Sequence, residues 1–256
     1  MSQLRRFSVV LILAAAVATG ARAQETREVE LQAQEILARV DEVLRYPEGL
    51  LKGQLSHIFP DGRSFSLRIE GSIAKDDYLF VFSNAERGNQ IKVLYNLGGE
   101  DIWVYNILSL QLFHKIDVDR YDPVMGTNFS FIDISNADLQ SNYTAKIDGP
   151  AMIKERQALK LTLTPVFRKG EYGKITLYVA RDNFYPLRMD FHDQDKVIMK
   201  TLSIVQGAEL AKRMFPVRYD MLDIRKGTLT VLKFISLDDK MNFKPDVFRH
   251  ENLNSR

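Results

Sequence analysis

A chain of 256 residues, 45% apolar and 27% charged, is long enough for one large domain or two small ones, and this composition excludes wholesale disorder and collagen-like structure. Basic side chains number 35 and acidic ones 33, a net charge of +2 that excludes nucleic-acid binding driven by bulk charge. Cysteine is absent, which excludes disulfides, a thiolate metal site, a cysteine nucleophile and a lipid-modified N-terminal cysteine.

The chain opens with the layout of a secretory signal peptide. Arg5 and Arg6 form a positive start, Phe7 to Val17 is an uncharged apolar run, and Ala21-Arg22-Ala23 supplies small residues at cleavage spacing. The run falls short of the roughly 18 residues a spanning helix needs. Residues 1–23 are therefore expected to be removed and 24–256 to form one domain. Loss of Arg5, Arg6 and Arg22 takes the net charge from +2 to −1. The mature protein is expected to be exported, soluble and periplasmic, held by its core alone.

Residues 28–45 read as an amphipathic helix, with Val29, Ala33, Ile36, Leu37, Val40 and Leu44 on one face and Pro47 and Gly49 ending it. From Leu50 the period changes to two. A strand over 51–59 turns at Pro60-Asp61-Gly62 into one where Phe65, Leu67, Ile69 and Ile73 alternate with polar residues. Further strands are predicted at 77–83, 90–97, 101–107 and 111–118, with Gly98-Gly99 as one turn. After a gap come 141–148, 157–164, 173–181, 186–193, 196–205, 215–224 and 228–237. Arg181-Asp182-Asn183 and Arg225-Lys226-Gly227 read as hairpin turns.

Short connections require antiparallel neighbours, and a long twisted antiparallel sheet curls. The expectation is a mainly β protein: a single, highly curved antiparallel sheet of about 11 strands, an incomplete barrel with helices covering its open side. Its concave face is predicted to use Phe65, Leu67, Ile69, Val93, Tyr95, Trp103 and Tyr105. The helix, through Ile36 and Val40, is available to cover the mouth. The gap 119–137 has no strand alternation yet is apolar, and Thr127 or Ser130 could cap a short helix there. Within it, segment 123–134 is predicted to act as a lid carrying Phe129 and Phe131 on different sides, with Pro123 and Gly126 as pivots.

No catalytic constellation stands out. His57, His114, His192 and His250 are scattered, and there is neither a metal-binding His pair, a Gly-x-Ser-x-Gly elbow nor a phosphate loop. His192-Asp193-Gln194-Asp195 falls between two strands and reads as a solvated turn. The reading is a binding protein, with no enzyme activity, no metal and no cofactor.

Two segments resemble a known family. Gly99-Glu-Asp-Ile-Trp103-Val-Tyr105-Asn106 is similar to the Gly-x-x-Leu-Trp-x-Tyr strand of the outer-membrane lipoprotein-sorting (LolA-like) proteins. Met125-Gly-Thr-Asn-Phe-Ser-Phe-Ile-Asp133 resembles the Met-Gly-Thr-Asp-Phe-Ser-Tyr-Glu-Asp segment of an uncharacterised branch of that group. Ala33, Ile36, Leu37, Val40 and Asp41, then Tyr46-Pro47, Phe59-Pro-Asp-Gly62 and Tyr185-Pro186-Leu187, fit as well, so the likeness runs over roughly residues 28–250. Asn128 and Ile132 depart from the pattern where acids are usual, and Leu112-Phe113-His114-Lys115 replaces a more arginine-rich strand. The resemblance implies a monomeric periplasmic carrier that takes acyl chains of a lipoprotein or other lipid into a hydrophobic concavity. It touches membranes only peripherally and works with an inner-membrane exporter of the RND/MMPL type. The alternative is a solid-core envelope scaffold that transports nothing.

Overall fold

A computed structural model describes residues 32–135, 138–166 and 170–254. The predicted signal peptide and residues 28–31 of the predicted helix lie outside the described residues. Residues 32–44 are helical (α1) and bury Ala33, Ile36, Leu37, Val40 and Leu44, the face that the sequence period selects.

Thirteen strands follow among the described residues. They are β1 (Gly49–Ile58), β2 (Ser64–Ala74), β3 (Asp77–Asn84), β4 (Asn89–Asn96), β5 (Asp101–Asn106), β6 (Gln111–Lys115), β7 (Tyr143–Ile153), β8 (Arg156–Pro165), β9 (Lys174–Ala180), β10 (Pro186–His192), β11 (Ile198–Leu210), β12 (Arg213–Asp223) and β13 (Thr228–Asp238). Every run of alternation named above forms its own strand, because each connection reverses the chain. The count is therefore thirteen rather than the expected eleven.

All thirteen lie in one antiparallel sheet, ordered β6-β5-β4-β3-β2-β1-β13-β12-β11-β10-β9-β8-β7. The pairing of β1 with β13 joins the two halves, and β6 and β7 remain as the edges, so the sheet is not closed. Register lines up the inner face. Tyr219 pairs with Leu232, Leu232 with Leu55 and Leu55 with Leu67, making one apolar row across four strands. The sheet is strongly curved. The Tyr46 ring lies 5.1 Å from Phe80 on β3 and 6.2 Å from Phe215 on β12. In a flat sheet those two strands, four steps apart, would be about 19 Å apart.

The two edges are joined in sequence by residues 116–142, of which the described residues, 116–135 and 138–142, fold into the open side instead of continuing the sheet. This segment holds 3-10 turns at Asp117–Tyr121 and Val124–Gly126, then α2 (Phe131–Ile134) and α3 (Leu139–Asn142). Ser130 caps α2, its hydroxyl accepting from the Asp133 amide while the Asp133 carboxylate accepts from the Ser130 amide. Helix α1 is tied across the same opening. Gln34 bonds the β7 backbone at Tyr143 O (3.2 Å) and Ala145 N (3.1 Å). At the other end Arg213 donates to the terminal carbonyls of α1 at Glu42 (2.9 Å) and Val43 (3.3 Å), and to Arg45 O just beyond. These carbonyls have no partner within the helix, and a cation there also suits the helix dipole.

Gly99, in the predicted Gly98-Gly99 turn, has φ +92°, and a Cβ there would lie 2.6 Å from Ser135 Cβ and 2.8 Å from Tyr78 Oη. Only glycine lets this turn approach the inserted segment so closely.

Candidate functional site

Between the inner face of β9–β13 and the inserted segment lies a cavity of about 620 Å³. Its floor is Ile175 (β9), Met189 and Phe191 (β10), Leu202 (β11), Tyr219 (β12) and Leu232 (β13). Leu44 and Tyr46 close it from the α1 side, and Phe129, Ile132 and Leu139 from the inserted segment. Asp117, Arg120, Tyr121, Asn142, Tyr143, Pro165, Val166 and Gly170 are at least partly exposed and form the mouth, along the seam between the sheet edges.

The inserted segment is held by buried hydrogen bonds. Asn128 Nδ2 donates to Met221 O (3.0 Å) and Thr228 O (2.7 Å), and its amide N–H donates to Thr230 Oγ1 (3.0 Å). His57 Nδ1 lies 2.8 Å from the same threonine hydroxyl, and burial lowers the His57 pKa, favouring the neutral ring. Segment 123–134 is thus a plug fastened through Asn128 to the middle of the sheet.

A second buried polar group braces the wall. Tyr172 Oη donates to Asp133 Oδ1 at 2.9 Å, and Lys200 Nζ donates to Tyr172 Oη at 3.2 Å while standing 3.7 Å from Asp133 Oδ2. The Asp133 side chain is 4% exposed and that of Lys200 10%, so each charge needs the other. Burial pushes the Tyr172 and Tyr219 hydroxyls well above the ordinary tyrosine range. Both stay neutral, and the Tyr172 hydroxyl serves as a donor to Asp133. The described lining contains no Ser, Thr, Cys, His or Lys side chain and is mainly apolar and aromatic.

Of the residues predicted to form the concavity, Phe129 lines this cavity. Phe131, two residues on, points elsewhere: its ring lies under Lys115 Nζ at 5.3 Å, and its carbonyl accepts from Tyr95 Oη at 3.2 Å. Leu67, Ile69, Val93, Tyr95, Ile36 and Val40 are buried in the main core beside the cavity. Phe65 is half-buried at the end of the sheet against His57 and Phe59.

Trp103 and Tyr105 face the other side of the sheet. On β5 it is Ile102 and Val104 that enter the main core. Tyr105 packs with Leu94, Phe248 and Leu253 under the C-terminal segment. Trp103 stacks between His114 and His250, each 4.1 Å away, and its Nε1 donates to Asp101 at 3.0 Å. The floor on β9–β13 went unnamed in the sequence reading, although the alternation of Ile175, Leu177 and Val179 carries the same signal as Leu67 and Ile69.

Among the described residues no helix is long and apolar enough to cross a membrane. No curated protein matches the sequence. Solved structures do match. A DUF1329 family protein from Desulfovibrio piger superposes with a TM-score of 0.75 at 19% identity, covering 88% of this chain and 99% of the other. A domain assigned as an outer membrane lipoprotein-sorting protein from Vibrio parahaemolyticus gives 0.77 at 14%, covering 88% and 99%. A LolA superfamily protein from Nitrosomonas europaea gives 0.69 at 21%, covering 85% and 97%. These likenesses establish the fold: one open, mainly β, LolA-like sheet with few helices. A family model described as "Uncharacterized protein" matches residues 74–255, and the chain belongs to that family.

Proposed function

We propose that this protein is a periplasmic carrier that takes acyl chains of a lipid or lipoprotein into the cavity behind the inserted segment. The observation that carries this reading is the cavity itself, about 620 Å³ of space walled mainly by Leu, Ile, Met, Phe and Tyr. Cores are normally packed without voids of this size. A hollow lined with apolar side chains forfeits contacts unless something fills it. Each methylene that enters from water contributes about 0.8 kcal/mol, so a long chain is held tightly without a covalent bond.

The surface next to the mouth supports exchange with membranes. The β5–β6 hairpin exposes Leu108 (66%) and Leu110 (73%) at its tip, and Leu112, Phe113, Ile116 and Val118 lead from it to the mouth. Exposed apolar side chains of this kind beside the mouth fit shallow, peripheral contact with a bilayer. A cavity walled by fixed elements favours the carrier over a solid-core scaffold. An RND/MMPL-type exporter is the proposed partner on the membrane side.

The test is to express the chain with its own export signal, purify it from the periplasm, extract it with organic solvent and identify bound lipid by mass spectrometry. Near-stoichiometric lipid is expected, and the delipidated protein should take up a fluorescent fatty acid. Protein that carries no lipid and takes up none would favour the scaffold reading.

A further inference from the structure

The cavity has different chemistry at its two ends. Leu202, Tyr219 and Leu232 are buried at the floor and Tyr46 on the α1 side, whereas Asp117 and Arg120 stand at the mouth. Arg120 is the one cation among the described lining residues. Its Nη2 donates to Gly99 O at 2.8 Å, which fixes the guanidinium on the turn that only glycine can form. Its Nε is buried and has no hydrogen-bond partner. Arg120 takes part in no ion pair among the described residues.

The two lining carboxylates do not change this. Asp133 is engaged by Tyr172, the Ser130 amide and Lys200. Asp117 is exposed to solvent. A guanidinium is charged at every physiological pH and presents five donors in a planar fork matched to carboxylate and phosphate oxygens. Leaving such a donor buried without an acceptor is costly.

We infer that Arg120 receives the anionic headgroup of the cargo, a carboxylate or phosphate oxyanion, while the chain runs inward to the Tyr219 floor. This rests on the carrier reading and names the class of its cargo. The volume sets the chain content. A cavity of about 150 Å³ accommodates the six carbons of benzene, so 620 Å³ holds on the order of two dozen carbons. That is one long acyl chain or two short ones, with the head at the mouth.

The experiment uses the mature chain and displacement of the neutral dye N-phenyl-1-naphthylamine by dodecanoate, dodecyl phosphate and dodecanol, with acetate and inorganic phosphate as chain-free controls. Dodecanoate and dodecyl phosphate are expected to bind about ten-fold or more tightly than dodecanol, the worth of a charge-assisted hydrogen bond. Arg120→Gln should abolish that preference, and Arg120→Lys should restore part of it. Should the glutamine variant not fold, the wild-type preference and the lysine variant decide the matter. Equal affinity for acid and alcohol, or a preference that survives Arg120→Gln, overturns the headgroup assignment and leaves the carrier reading intact. Acetate or phosphate competing as well as the amphiphiles also overturns it, because the site would then bind free anions. Failure of all three amphiphiles to displace the dye removes the carrier reading itself.

Discussion

Asn128 and Thr228 hold each other through two hydrogen bonds of 2.7 Å: the threonine hydroxyl donates to Asn128 Oδ1, and Asn128 Nδ2 donates to the Thr228 carbonyl. With the further bond to Met221 O, the asparagine uses both of its amide donors inside the protein. It fastens the inserted segment to β12 and the start of β13, over the centre of the sheet. Asn128→Asp should therefore be severe. A carboxylate cannot donate to the two carbonyls and would face them unsolvated, at a cost of about 3 kcal/mol or more. Urea denaturation measures this, and a loss below about 1 kcal/mol would show that the plug is fastened elsewhere.

Asp41 predicts a pH dependence. Its carboxylate accepts from the Leu139 and Gln140 amides at 3.0 and 2.9 Å, linking α1 to the start of α3. Burial, with Asp138 nearby, nevertheless pushes its pKa from 3.8 up to about 7. The folded chain then keeps this proton up to about pH 7, while the unfolded chain releases it near pH 4. The contribution is fully present below the unfolded value and is lost as pH rises through the folded one. Melting temperature should fall between pH 5 and pH 8 by an amount that Asp41→Asn removes. Parallel profiles for wild type and variant would rule this assignment out.

Lys200 and Asp133 form a buried pair bridged by Tyr172. Lys200→Met removes the counter-charge and leaves the carboxylate buried, which should cost about 3 kcal/mol. Adding Asp133→Asn should recover much of that, because the uncompensated charge is then gone. Chemical denaturation of both variants tests the pair, and a double variant no more stable than the single one would contradict it.

Filling the cavity separates function from stability. Ile175→Phe and Leu202→Phe place extra bulk in existing space, so melting temperature should hold or rise by a few degrees. Uptake of a fluorescent fatty acid should fall about ten-fold, the effect of a few methylenes losing their place. Full uptake by both stable variants would put the cargo elsewhere.

Much of this architecture is legible in the residues alone, because a half-buried element must repeat its apolar side chains at its own period. Ala33, Ile36, Leu37 and Val40 at helical spacing declare one buried face. Leu67, Ile69 and Ile73 at a spacing of two declare the inner side of a strand, and the turn residues between the runs make the sheet antiparallel. The breakers and aromatics of 123–134 likewise mark a segment that covers something. Alternation fails as a guide where both faces of a strand are apolar. Asp101-Ile-Trp-Val-Tyr-Asn106 offers two apolar pairs, and nothing local distinguishes them. Register settles it: Val104 pairs with Val93 on the inside and Trp103 with Leu94 on the outside, where the distant C-terminal segment covers the sheet. The position of the cavity is likewise a tertiary outcome. Ile175, Leu202 and Leu232 have the same local pattern as Leu67, Ile69 and Val93, yet one set borders open space and the other solid core. The difference lies in where the sheet's curvature and the plug anchored by Asn128 leave room, and contacts between residues a hundred positions apart leave no trace in any short stretch of sequence.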